Sequence, residues 1–146
     1  MKIFLLSLIM LIIANVSLAK TSDLNEYRWE NRILLLFAPD SSHADYVAAQ
    51  RLLEQYKAGL VERHLLVFSL FQQGESLQGD ASLAPEFVSD LWKTYEADAN
   101  GLTTILIGKD GGEKLRQTGK MDLDEIFRRI DAMPMRRAEM REAQEK

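Results

Sequence analysis

The sequence predicts an α/β fold with the element order β-α-β-α-β-β-α and a four-stranded mixed sheet carrying helices on both faces. Three observations predict it. Ile33 to Phe37 is an unbroken apolar run closed by Ala38-Pro39, as in a strand buried on both faces at the centre of a sheet. Leu65 to Phe71 is a second such run, separated from the first by one helical stretch, so the two strands are joined by a right-handed parallel crossover. Thr103 to Ile107 is a third, β-branched run that leads into Asp110-Gly111, a strong hairpin signal.

Taken in order, the chain begins with a targeting segment. Lys2 is the only charge before Lys20, Ile3 to Ala14 is nearly all apolar, and Ser17 and Ala19 put small residues where a signal peptidase cuts. Residues 1–19 are therefore read as a cleavable signal peptide, residues 20–135 as the domain, and residues 136–146 as a charged C-terminal tail. Asn15 and Ser17 leave the apolar run too short to span a bilayer. Thr21 to Arg32 then mixes Tyr27 and Trp29 with Arg28 and Arg32, as in a segment lying over the edge of a core with its aromatic side inward.

After the central strand, Ser41 or Ser42 is expected to cap a helix, with Asp45 completing a capping box to Ser42. Tyr46, Ala49, Leu53 and Tyr56 form its apolar stripe, and Gly59 is expected to stop it. Gln72 to Ser82 lacks periodicity and reads as a loop. Pro85 opens the second helix, with Phe87, Leu91, Trp92 and Tyr95 on one face. Glu113 to Gln117 returns antiparallel after the hairpin, and Lys109 and Asp110 are expected to be exposed at its tip. Asp122 caps the last helix, whose inner face is Leu123, Ile126, Phe127 and Ile130. Pro134 must bend or end that helix, and the tail beyond it reads as a frayed surface helix.

Composition excludes several functions. The 146 residues contain no cysteine, which removes thiol redox chemistry, disulfide exchange, cysteine nucleophiles and a lipid anchor at the cleavage site. Removal of the first nineteen residues, which hold one lysine and no acidic group, takes the net charge from −4 to −5. An acidic balance argues against nucleic acid as a partner. Contact with a membrane is expected only through the signal peptide before cleavage. No cofactor is expected.

FAPDSSHADY resembles the thioredoxin signature in which a strand ends in Ala-Pro and a Cys-x-x-Cys helix follows. Here Asp40 to His43 stand in that region and both cysteines are missing. Gly101-Leu102-Thr103-Thr104 resembles the segment in which thioredoxins place a cis-proline, and Thr103 takes its place. This resemblance implies a thioredoxin-like fold without the redox site. Over nearly the whole domain, YRWENRILLLFAP, LIGKDGGEKLR and IDAMPMRRAEMR resemble a family known only as a domain of unknown function. It occurs as small exported bacterial proteins and as a module in animal sushi-repeat-containing and coiled-coil-domain-containing matrix proteins. That resemblance implies a place outside the cytoplasm, with an adhesive or matrix-associated role in the animal members, and supplies no catalytic residue.

Two groups of residues are candidate sites. Asp40, Ser41, Ser42 and His43 crowd the strand-helix joint, where open α/β sheets hold ligands and a helix N-terminus offers free N-H groups. They suit a small molecule, an anion or, with Asp45, a metal, although Asp40 and Asp45 would repel an anion. Plain capping is the commonest explanation of such a cluster. The second group is Arg28, Trp29, Arg136 and Arg137, a set suited to a protein or envelope polymer. Met133 and Met135 beside them serve either such a surface or the core. The function expected is thus an exported, non-catalytic binding module, the alternative being a small-molecule binder or non-thiol enzyme built on Asp40 to Asp45.

Overall fold

The structure, a computed structural model, describes residues 23–146. The expected signal segment lies outside the described residues. A 3-10 turn, Leu24–Tyr27, leads into β1 (Arg32–Ala38), α1 (Ala44–Gln55), α2 (Lys57–Glu62) and β2 (Leu65–Phe71). Then follow β3 (Leu77–Gln78), β4 (Ala81–Ser82), α3 (Pro85–Tyr95), β5 (Thr103–Ile107), β6 (Glu113–Thr118), α4 (Leu123–Asp131) and α5 (Pro134–Gln144). All the strands join one sheet in the order β4-β3-β2-β1-β5-β6. β1 and β2 run parallel, with Leu36 opposite Ser69, and β5 and β6 continue antiparallel from the other side of β1.

Four adjacent strands, β2, β1, β5 and β6, are those read from the sequence, but the sheet has six, not four. The extra pair is a hairpin, β3-β4, inside the stretch expected to be a loop, and it extends the sheet beyond β2. Two-residue strands carry no readable alternation, so tertiary pairing rather than sequence pattern creates them.

Every residue of β1 is buried, because the sheet is covered on both faces. Leu34, Leu36 and Ala38 meet Tyr46, Ala49 and Leu53 of α1 and Ile126 and Ile130 of α4. Ile33, Leu35 and Phe37 meet Val88 and Leu91 of α3, with Tyr27 of the 3-10 turn packed edge-on to Phe68 at 5.7 Å. Each of these leucines contributes about 2 kcal/mol by burial.

Local signals fare unevenly. Pro85 stands at the first position of α3, and the Asp122 carboxylate accepts from the Glu125 N-H at 2.9 Å, so both helix starts are as expected. Gly111 turns the β5-β6 hairpin with φ +84°, a conformation that favours glycine. Gly59, however, does not stop a helix. The break falls at Tyr56, and Gly59 lies inside α2, where an added Cβ would stand 3.0 Å from the Phe127 ring. Its role is the close approach of α4.

Beyond α4 the chain continues in α5 (Pro134–Gln144). Pro134 does separate two helices, but α5 is not a frayed tail. Arg136 is 4% exposed and tied to Asp131 and Glu62, which docks the helix on the body.

Candidate functional site

At the strand-helix joint, Asp40 turns back on its own loop. One carboxylate oxygen accepts from the Ser42 hydroxyl at 2.6 Å and from the Ser42 N-H at 2.8 Å. The Ser42 hydroxyl bond, helped by its N-H, holds the Asp40 carboxyl below the usual aspartate range. A carboxylate so stabilised is a weak base, so this pair does not activate Ser42 as a nucleophile.

The expected Ser42-Asp45 capping box does not form. His43 occupies the cap of α1 without a side-chain bond to the helix. Its Nδ1 is buried with no hydrogen-bond partner. Ser41 and Ser42 face solvent. None of Asp40, Ser41, Ser42 and His43 lines any of the clefts described below. Among the described residues no group of three or more acidic, histidine or cysteine side chains is placed to hold a metal, so Asp40, His43 and Asp45 do not assemble one. Behind the joint, the Tyr46 hydroxyl and Ser69 hydroxyl bond at 2.9 Å, and burial pushes the Tyr46 phenol up. The neighbouring Thr104 hydroxyl, on a residue 2% exposed, has no partner.

The opposite end of the sheet is more elaborate. Arg32 begins β1 and is 1% exposed. Its guanidinium donates to both oxygens of Glu139 at 3.1 and 3.2 Å and to the Arg63 carbonyl at 2.9 Å. Lys109, expected to be exposed at a turn, is 7% exposed. Its ammonium donates to Glu139 at 2.6 Å and to His64 Nδ1 at 2.9 Å, so that nitrogen is the unprotonated one. Arg63 pairs with Asp131 at 2.8 Å and lies 4.1 Å above the Phe127 ring. Sequence reasoning missed this network. The available signal was Arg32 itself, a charge placed directly against five buried apolar residues.

The second expected group is split by this packing. Arg136 points into the body and is structural, contrary to its expected place on a binding surface. Its burial puts Met135 and Arg137 on opposite flanks of α5, about 100° to either side. Trp29 is not packed inward: it is 62% exposed, with φ +68°, and its N-H donates to the Lys109 carbonyl at 2.7 Å. Trp29, Met133, Pro134 and Met135 wall a cleft of about 280 Å³ with Lys109 and Asp110 beside them. Arg28 lines the neighbouring cleft of about 310 Å³ on the other side of Gly108, with its guanidinium against Gly111. Thus the structure joins Trp29 to the methionines, leaves Arg28 adjacent, and removes Arg136.

Among the described residues no helix is long and apolar enough to cross a membrane. Residues 23–139 match a family described as "Domain of unknown function (DUF4174)". Among solved structures, the chain is similar to the reduced 2-Cys peroxiredoxin of Plasmodium vivax, with a TM-score of 0.60 and 16% identity over 76% of this chain and 82% of that one. It is also similar to thioredoxin peroxidase I of Plasmodium yoelii, with a TM-score of 0.54 and 18% identity over 75% of this chain and 76% of that one. At such identities the likeness shows a thioredoxin-like fold alone.

Proposed function

The chain belongs to the DUF4174 family, a domain of unknown function, and for this member we propose an exported, non-catalytic thioredoxin-like module that holds a protein partner in the Trp29 cleft. The observation that carries the reading is the exposed indole of Trp29, set on a fixed backbone beside Met133 and Met135 in one cleft. Tryptophan and methionine are enriched where proteins meet, and a large side chain already held in place loses little entropy on binding. Arg28 next to the cleft favours carboxylates on the partner, whereas Arg137, on the flank of α5 opposite Met135, lies away from it. The absence of cysteine removes thiol chemistry from this scaffold. Export rests on the segment 1–19, whose apolar run and small residues at the cut suit a signal peptide.

The test is capture from an envelope fraction by the immobilised protein. Trp29→Ala and Arg28→Ala are each expected to reduce retention of the partner at least about tenfold. Their melting temperatures should stay within about 2 °C of the parent. Retention that survives Trp29→Ala defeats the reading, and release of the captured material by glycanase but not protease identifies an envelope polymer instead.

A second reading is favoured by the unpartnered Nδ1 of His43: a small anion or polar molecule taken up at Asp40, Ser41, Ser42 and His43. A ligand-dependent rise in melting temperature that His43→Ala removes is its expected signature.

A further inference from the structure

A third cleft, of about 710 Å³, opens at the carboxyl end of β2, between the β3-β4 hairpin and the start of α3. Neither candidate group touches it. Open α/β sheets take ligands outside the carboxyl ends of their strands, and this volume is in the range of small-molecule sites. Phe71, Leu83, Val88 and Trp92 form its apolar wall. The Trp92 ring is held edge-on to Phe37 at 5.0 Å, so the wall has a fixed shape. Its indole N-H is buried without a partner.

The outer wall is built rather than incidental. Ser76, 5% exposed, accepts from the Phe71 N-H at 2.8 Å through its hydroxyl, and its carbonyl accepts from the Leu83 N-H at 2.9 Å. The loop is thereby tied at both ends of the cleft. Gln73 donates to the Pro39 carbonyl at 3.0 Å, which fixes the same loop to the end of β1.

The polar rim selects the occupant. Glu75, Gln72, Ser82 and Ser89 supply it, and no lysine, arginine or histidine lines the cleft. The Glu75 carboxylate is oriented by a hydrogen bond from the Ser82 hydroxyl. A carboxylate without a compensating cation repels anions and accepts from donors. We propose that this cleft is a binding site for a small amphiphile, an apolar ring or branched chain carrying a neutral or positively charged hydrogen-bond donor.

Benzylamine, benzyl alcohol and benzoate test this directly. In the Trp29→Phe background Trp92 is the only tryptophan, and its emission reports on the wall. Benzylamine and benzyl alcohol should change it saturably, with dissociation constants on the order of 1 mM for probes of about eight heavy atoms. Benzoate should bind at least about tenfold more weakly. Glu75→Gln should weaken benzylamine about fivefold and leave benzyl alcohol nearly unchanged. Ser89→Phe, which fills the mouth from an exposed position, should abolish both responses. Amide shifts on the labelled wild-type protein should be confined to residues 71–92, which keeps the test intact even if Ser89→Phe fails to fold. A response that does not saturate, equal binding of benzoate, indifference of benzylamine to Glu75→Gln, or shifts elsewhere would overturn the proposal.

Discussion

Glu139 stands between two buried cations, Arg32 and Lys109, and no other carboxylate pairs with either among the described residues. Replacing it by glutamine keeps the shape but leaves both charges without a counter-ion. We expect Glu139→Gln to cost about 3 kcal/mol, or roughly 10 °C in melting temperature by calorimetry. Arg32→Met added to it should cost less than the two single changes summed, since the second removes a charge the first orphaned. The same residues explain what could be read in the sequence. Asp122, Pro85 and Asp110-Gly111 were legible because their partners lie within three or four positions. Gly59, Lys109 and Arg136 were misjudged because theirs are Phe127, Glu139 and Glu62, far along the chain. For the candidate sites, sequence proximity made Asp40 to His43 look like a cluster. The structure leaves Asp40 and Ser42 satisfied by each other.

Among the elements, the β3-β4 hairpin is the least foreseeable and the most separable. Only β2 pairs with it, through Phe68-Gln78 and Ser69-Leu77, and its attachment depends on Ser76. Ser76→Ala leaves the buried Phe71 N-H unpaired and should cost about 1–2 kcal/mol. Hydrogen exchange should then rise across β3 and β4 while β1, β2 and β5 keep their protection. Equal loss of protection throughout would mean that the hairpin is integral to the core. At the other end, β6 exposes Glu113, Arg116 and Thr118, and its charges discourage edge-to-edge pairing. Helix α5 shows the limit of reading amphipathicity: few of its residues are apolar, yet it docks, because ion pairs rather than an apolar stripe hold it.

Over the whole molecule, the two carboxylates that fasten α5 set a pH limit. Burial pushes Asp131 and Glu139 up, but hydrogen bonds from Arg63 and Arg136 to the first, and from Arg32 and Lys109 to the second, reverse this and leave both below their ordinary values of 3.8 and 4.5. A depressed carboxylate contributes stability that is complete above its ordinary value and disappears as pH falls through the folded one. Stability should therefore be flat with respect to these groups at neutral pH and decline below about pH 4.5. The decline should be shallower in Glu139→Gln, as followed by denaturant midpoint. The parallel β1-β2 pair and the β5-β6 hairpin were legible at this scale, because buried runs and a hairpin turn admit few topologies. The clasp was not, since it brings together positions 32, 64, 109 and 139. That separation has a consequence for synthesis. Arg32 and Glu139 are 107 positions apart, so a growing chain acquires its β1 cation long before the matching carboxylate. A nascent chain that has passed Lys109 but not yet reached Glu139 carries both cations unmatched, and the closing contact waits for Glu139 to leave the ribosome.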